Sequence, residues 1–323
     1  MATFNIFCNA HFDPAALATL QRGIASHHLL LSEKATGNLA AGSADPLLND
    51  ADIALGQPDP AQAMVCQRLR WIHLTSAGFT RYDNAPFRQA LAARNATLTN
   101  SSGVFDEPCA EHLLAFMLAD ARQLPASFSN QLTARGWPIT AIRHRSRLLA
   151  GQTVLIVGLG AIGVRLAEFL QPLRMNLVGV RRRVRGDEPI RTVSVSQIEE
   201  HLPTADHVID ILPASDDSNA FFSAARLALI KTGAIFYNIG RGTTVDQTAL
   251  QAALHANRLR AAYLDVTDPE PLPADHPLWK APNCWITPHT GGGHADEHAR
   301  VVQHFLTNLR RYETGKPLLD RVV

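Results

Sequence analysis

The stretch from Thr153 to Arg183 constrains the fold more than any other. It begins with an apolar run, Thr153-Val154-Leu155-Ile156-Val157, that reads as a strand buried on both faces, as in a parallel sheet covered by helices. Gly158-Leu159-Gly160-Ala161-Ile162-Gly163 follows, and then Leu166, Phe169, Leu170 and Leu173 recur at helical spacing, with Pro172 near the helix end. A second apolar run, Leu177 to Val180, closes on Arg181, Arg182 and Arg183. Strand, glycine turn, helix and strand make a βαβ unit. In such a unit the first glycine permits the tight turn, the second lets a pyrophosphate approach the backbone, and the third lets helix and strand pack closely. The helix N-terminus adds free N–H groups and a partial positive charge. The context predicts dinucleotide binding at Gly158, Gly160, Ala161, Ile162 and Gly163.

A chain of 323 residues predicts two domains, and its 46% apolar content suffices for two cores. The formal net charge of +1 points to neither nucleic acid nor an anionic membrane as partner. Met1-Ala2-Thr3-Phe4-Asn5-Ile6 carries no basic or apolar export signal, and no later run reaches transmembrane length. The expectation is a soluble cytoplasmic protein. Cys8, Cys66, Cys109 and Cys284 are scattered without zinc-site spacing and read as reduced core residues, with no metal site.

Short apolar runs at Asn5–Cys8, Leu29–Leu31, Ala51–Leu55, Trp71–Leu74 and Thr97–Thr99 alternate with helical segments at Pro14–Arg22 and Pro60–Gln67. This alternation predicts an α/β domain with a parallel sheet, with Gly37–Pro46 as a surface loop. Glu107 to Leu124 is apolar on nearly every face and reads as a helix buried between domains or subunits. Gln131 to Arg147 reads as a solvated loop, although Trp137 and the basic run Arg143, His144, Arg145 and Arg147 leave room for a partner-facing role. Strands at His207–Leu212, Ala234–Ile239, Ala262–Val266 and Cys284–Thr287 complete a six-stranded doubly wound domain. Between them lie helices at Ser223–Ile230 and Asp246–Asn257, the latter capped by Asp246. The last helix, about Ala295 to Tyr312, returns to pack on an existing domain.

Three chemical groups fall at the carboxyl ends of successive predicted strands, the edge where ligands of open α/β sheets bind. Arg241 lies in Asn238-Ile239-Gly240-Arg241-Gly242, Glu270 in Asp265-Val266-Thr267-Asp268-Pro269-Glu270-Pro271-Leu272-Pro273, and His289 in Thr287-Pro288-His289-Thr290-Gly291-Gly292-Gly293. Reduction of a 2-keto acid leaves an oxyanion that needs a proton, and histidine is an efficient donor near neutrality. Glu270 beside it would favour the imidazolium. Arg241 would fork onto the substrate carboxylate and polarise the carbonyl, in a site dried by domain closure. The small-residue loop Thr75-Ser76-Ala77-Gly78-Phe79, after the strand Trp71–Leu74, is a candidate anion site.

Through these motifs nearly the whole chain resembles the D-isomer-specific 2-hydroxyacid dehydrogenases, whose catalytic order is Arg, Glu, His. The resemblance implies two doubly wound α/β domains: a Rossmann coenzyme-binding domain, 102–290, inserted in a flavodoxin-like substrate domain, 1–101 plus 291–323. It implies substrate-carboxylate binding by the backbone of Ser76, Ala77 and Gly78, and coenzyme contacts at Pro213, Ile239 and Asp265. It also implies a homodimer joined through the coenzyme domains, which suits the Glu107–Leu124 helix. Thr267 departs from the family, where an aromatic is common, with a small expected effect on pocket packing.

A second departure concerns the coenzyme. An NAD enzyme ends its second strand with Asp or Glu on the ribose hydroxyls. Here Arg181 and Arg182 stand instead, with Asp187 as the next acid and no carboxylate to repel a 2′-phosphate. The expectation is preference for NADP(H), with NAD(H) use possible. The resulting reading is an NADPH-dependent 2-keto acid reductase, with glyoxylate or hydroxypyruvate as first substrates and residues 75–81, Trp279 and a partner's Trp137 loop shaping the pocket. The alternative is a dinucleotide-sensing interaction protein, like the corepressors that resemble these dehydrogenases.

Overall fold

The computed structural model describes residues 3–323; Met1 and Ala2, at the head of the segment read for an export signal, lie outside the described residues. The chain separates into two compact units. One runs through Phe105 and resumes over Gly293–Val323, and the other is Asp106–Gly292.

The discontinuous unit holds strands β1 (Asn5–Ala10), β2 (His28–Thr36), β3 (Ile53–Gly56), β4 (Trp71–Leu74) and β5 (Thr97–Thr99). Its helices are α1 (Pro14–Gly23), α2 (Pro60–Val65) and α3 (Ala85–Ala93). The three helices start alike: Asp13, Asp59 and Asn84 accept a backbone N–H of the first turn, and a proline follows within two residues. The described strands pair in parallel in the order β2-β1-β3-β4-β5, the flavodoxin-like arrangement. A parallel sheet needs cover on both faces. One face packs Phe7, Leu48, Ala63, Tyr82, Phe87 and Leu91; the other packs Ile6, Leu20 and Trp71 against Val302, Phe305 and Leu306 from near the end of the chain. Phe305 stacks on Trp71 with centroids 5.2 Å apart. The final residues continue across this unit: Val322 N–H donates to Leu98 O at 2.8 Å, and the Asp320 carboxylate accepts Gly103 N–H at 2.7 Å.

The chain passes into the second unit through α4 (Ser102–Ala121). This helix starts earlier than the sequence predicts, where Asn100 Oδ1 accepts Ser102 N–H, and stops before Gln123, whose φ of 56° is left-handed. Then come α5 (Leu124–Leu132), a helix the sequence reading leaves unassigned, and α6 (Ile139–Arg145), inside the 131–147 stretch read as a loop. Pro125 in the first turn of α5 and the i, i+4, i+8 series Leu124, Phe128, Leu132 account for that helix, and neither helix buries a residue within the chain.

The sheet of this unit has β6 (Thr153–Val157), β7 (Asn176–Arg181), β8 (Thr192–Ser194), β9 (His207–Asp210), β10 (Ala234–Asn238), β11 (Leu259–Leu264) and β12 (Cys284–Ile286). It is crossed by α7 (Ala161–Leu170), α8 (Ile198–His201), α9 (Ala224–Leu229) and α10 (Gln247–His255). The described residues give seven parallel strands in the order β12-β11-β10-β9-β6-β7-β8, the doubly wound Rossmann pattern reversing at β6 and β9. The seventh strand is β8, a three-residue edge too short to announce itself in the sequence. The last helix, α11 (Glu297–Glu313), returns to α1 in the first unit, burying Val301, Val302, Phe305 and Leu309. Among the described residues no helix is long and apolar enough to cross a membrane, and the four cysteines are free.

Candidate active site

The glycine turn lies directly after β6, at the reversal of strand order. Gly158 has φ +104°, and a Cβ there would stand 2.8 Å from Ile211 O, so only glycine fits. A Cβ on Gly163 would meet Gly158 O at 2.8 Å, which measures how closely α7 approaches the turn. At Gly160 a Cβ meets nothing within 4 Å, and the residue is exposed. Val164 N–H bonds Gly160 O, whereas the N–H groups of Ala161, Ile162 and Gly163 reach no acceptor among the described residues. Open space over the second glycine and undischarged helix N–H groups are what a dinucleotide pyrophosphate requires, so these residues fit that group. Of the further coenzyme positions, Pro213 is exposed and Ile239 is buried against Gly291, where a Cβ would lie 2.7 Å from the Ile239 side chain.

The other end of the βαβ unit corrects an expectation. Arg181 closes β7, but a carboxylate does stand beside it: Glu188 Oε1 is 3.2 Å from Arg181 Nη1. A turn over residues 182–187 returns the acid to the strand end. Arg182 lies 3.7 Å from Asp217, both largely exposed.

Arg241, Glu270 and His289 sit on loops after β10, β11 and β12, which are neighbours in the sheet. The Arg241 loop is pinned through its backbone: Arg241 O accepts from Asn238 Nδ2 at 2.9 Å and from Thr244 Oγ1 at 2.6 Å. Thr244 Oγ1 is also 2.5 Å from the carboxyl of buried Asp210, which burial pushes up to about 7. Two oxygens within reach of one hydroxyl are both satisfied when Asp210 carries a proton, donates to Thr244 and lets Thr244 donate to Arg241 O. Gly242 seats this loop on the next one, since a Cβ there would fall 2.0 Å from the carbonyl of Thr267. Arg241 Nη1 donates to Gly240 O at 2.6 Å. Thr267 is buried and its hydroxyl donates to Pro269 O at 3.0 Å.

His289 Nδ1 and Glu270 Oε1 are hydrogen-bonded, with the two side chains 23% and 37% exposed, so the pair faces solvent on one side. His289 has a φ of 53°, unusual for a residue with a Cβ, and a conformation that persists only where surroundings enforce it. Asp265 provides that enforcement. Its carbonyl accepts His289 N–H at 2.9 Å, and its buried carboxylate accepts Thr290 N–H and Gly291 N–H at 2.9 Å and Thr287 Oγ1–H at 2.6 Å. His112 of α4 reaches the same group, with Nε2 3.1 Å from Thr287 Oγ1 and 3.6 Å from Asp265. The sequence reading missed His112 and Asp210, whose only signal is a polar residue inside or at the end of an apolar element, and Thr244, an unmarked loop threonine three residues after Arg241.

In the other unit, the Ser76-Ala77-Gly78 loop follows β4. Its carbonyls are all engaged: Ser76 O accepts Ser101 N–H at 3.0 Å, Ala77 O accepts Asn100 Nδ2 at 2.7 Å, and Gly78 O accepts Ser76 Oγ at 2.7 Å. Gln57 Nε2 donates to Ser76 Oγ at 3.0 Å from within the core. No acceptor among the described residues reaches the three N–H groups, which leaves them for an anion.

A Rossmann fold with an arginine, a carboxylate and a histidine at the ends of three adjacent strands points to a class of oxidoreductase, and comparison with known proteins identifies it. Residues 114–291 match the model of the D-isomer specific 2-hydroxyacid dehydrogenase NAD binding domain. Glyoxylate/hydroxypyruvate reductase B of Escherichia coli O9:H4 (strain HS) is 32% identical over 280 residues, 83% of each chain. A crystal structure of a D-isomer specific 2-hydroxyacid dehydrogenase family protein from Aeromonas salmonicida subsp. salmonicida A449 superposes with TM-score 0.78 at 29% identity, over 100% of this chain and 99% of that one. A dehydrogenase from Xanthobacter autotrophicus Py2, solved with NADPH and MES, has TM-score 0.80 at 24% identity, over 100% of this chain and 98% of that one; at that identity the likeness concerns the fold. The chain belongs to the D-isomer-specific 2-hydroxyacid dehydrogenases, NAD(P)-dependent oxidoreductases that act on 2-hydroxy acids.

Proposed function

We propose that the protein is an NADPH-dependent reductase of small 2-keto acids, with glyoxylate and hydroxypyruvate as its first candidate substrates. The observation that carries this reading is the Glu270–His289 hydrogen bond on the loop next to Arg241. Because Nδ1 is engaged by Glu270, Nε2 of His289 is the ring nitrogen left to face a substrate oxygen. When bound, the nicotinamide supplies a hydride to C2 of the keto acid. His289 transfers its Nε2 proton to the carbonyl oxygen as negative charge grows there, and Glu270 stabilises the imidazolium before transfer. Arg241 pairs with the substrate carboxylate and polarises the carbonyl. Ser76, Ala77 and Gly78 are assigned to substrate binding through their backbone N–H groups. Net, one keto acid, one NADPH and one proton become one hydroxy acid and one NADP⁺.

Coenzyme contacts are assigned to Gly158, Gly160, Ala161, Ile162, Gly163, Arg181, Arg182, Pro213, Ile239 and Asp265. Arg181 and Arg182 favour the 2′-phosphate form by charge, and the reductase likeness supports the direction and the substrates. The coenzyme role falls to 102–290 and the substrate role to 1–101 with 291–323. A homodimer is proposed through α5 and α6, where Phe128, Leu132 and Trp137 are 58%, 79% and 89% exposed. Four free cysteines suit the cytoplasm.

The test is NADPH oxidation against a panel of 2-keto acids, with His289→Ala beside the unmodified protein. Expected are turnover of glyoxylate or hydroxypyruvate and a loss of two orders of magnitude or more in the variant, with NADPH still bound. Inactivity towards the whole panel with coenzyme bound would overturn the reading and favour a sensor.

A further inference from the structure

Arg181 and Glu188 form a pair that the assignments above do not use. Glu188 has a side chain only 5% exposed, against 23% for Arg181. Its two oxygens are held from the loop side: Oε1 accepts Arg185 N–H at 2.7 Å and Oε2 accepts Gly186 N–H at 2.8 Å. The loop is therefore folded around this carboxylate and carries it back to the end of β7. Oε1 also takes Arg181 Nη1 at 3.2 Å. The neighbouring pair, Arg182 with Asp217, is longer and open to water on both sides, so little coupling is expected from it.

We propose that Glu188 is a coenzyme-selectivity residue that restrains the preference for NADPH. The inference rests on the NADPH reading above and sharpens it. The end of the second strand is where NAD enzymes present a carboxylate to ribose hydroxyls, and where an arginine accommodates the 2′-phosphate. This chain brings both groups to that point, bonded to each other. A 2′-phosphate must share the Arg181 guanidinium with Glu188 and sit in the field of a fixed negative charge. A ribose hydroxyl can instead donate to that carboxylate. The pair thus moderates discrimination between the two coenzymes.

The test titrates NADPH and NADH separately into the full-length protein, following nicotinamide fluorescence, for the unmodified chain and for Glu188→Gln, Arg181→Gln, the double variant and Asp217→Asn. Glutamine keeps one acceptor for the loop N–H groups while removing the charge. Glu188→Gln is expected to tighten NADPH roughly three- to tenfold without tightening NADH, a gain that at its upper end equals about 1.4 kcal/mol. Arg181→Gln should collapse the ratio of affinities and erase the effect of Glu188→Gln, and Asp217→Asn should leave the ratio unchanged. An unchanged or falling NADPH-to-NADH ratio in Glu188→Gln overturns the proposal, as does an equal gain for both coenzymes. Should Glu188→Gln fail to fold, Glu188→Asp decides: withdrawing the carboxylate from Arg181 must raise the ratio, and no rise overturns it. The unmodified protein's own ratio tests the NADPH reading, whereas the change in ratio on substitution tests Glu188, so the two fail separately.

Discussion

His112 donates a hydrogen bond to Thr287. Thr287 Oγ1 spends its single proton on Asp265 Oδ1 at 2.6 Å, so the 3.1 Å contact from His112 Nε2 must be an N–H donation to the hydroxyl oxygen. This fixes the tautomer of His112, whose titration is pushed down by burial and only partly restored by nearby Asp265. A neutral histidine thereby orients a hydroxyl, and that hydroxyl orients the carboxylate holding the His289 loop.

Thr287→Val removes the hydroxyl at nearly constant volume. Turnover with the preferred keto acid should fall about tenfold, the worth of about one net hydrogen bond at a positioned group. Coenzyme affinity should change less, and Thr287→Ser should recover most of the loss. Steady-state kinetics paired with coenzyme titration would check this, and an unchanged kcat in the valine variant would count against the relay.

The three glycines of the turn make separable predictions. Gly160→Val should leave thermal stability of the coenzyme-free protein nearly unchanged, because its side chain enters open space, while weakening coenzyme binding by tenfold or more. Gly158→Ala should lower stability itself, by roughly 1–3 kcal/mol, since φ +104° and the 2.8 Å approach to Ile211 O are both unfavourable to a Cβ. Melting curves with and without coenzyme separate the two cases.

Stability should depend on pH through three buried groups. Burial pushes His73 and His207 down from 6.5 to about 3, so between these limits the unfolded chain binds two more protons than the native one. Burial raises Asp210 from 3.8 to about 7, so the native state there binds one more. From about pH 4 to 6.5 these three together leave one proton on the unfolded side, a contribution by which stability falls with falling pH by about 1.4 kcal/mol per unit. His73→Gln should bring their balance to zero and flatten the slope. Urea unfolding read through Trp71, buried beside His73 with ring centroids 5.8 Å apart, measures it. An identical slope in the variant would remove His73 from the account.

The exposed α5 stripe predicts assembly. Phe128→Glu with Leu132→Glu should convert a dimer to a monomer in sedimentation equilibrium without loss of helical signal, because neither side chain is buried within its own chain. Monomeric unmodified protein would dispose of the proposed interface.

Elements with strong local signals were legible from sequence. Trp71–Leu74, between Arg70 and Thr75, and Thr97–Thr99, closed by Asn100, coincide with β4 and β5. The glycine turn announced itself because its geometry tolerates no other residue at Gly158. Helix α6 was hidden because it buries no residue within the chain, so polarity dominates the stretch 131–147. Glu188 was hidden for another reason: it acts on Arg181 only after the chain reverses, and the one mark of that reversal, Gly186 with φ +91°, does not say where the following acid lands. His112 was masked by the apolar helix around it.

The first unit's dependence on the chain's final residues sets an order of events during synthesis. The ribosome delivers Trp71 long before Phe305, and Leu98 long before Val322, while everything the inserted unit contains, Asp106–Gly292, emerges in between. Domains generally fold as units while the chain lengthens. The coenzyme unit can therefore mature first, and the sheet that began the chain must wait, with one face of Trp71 uncovered, until the last helix arrives to close it.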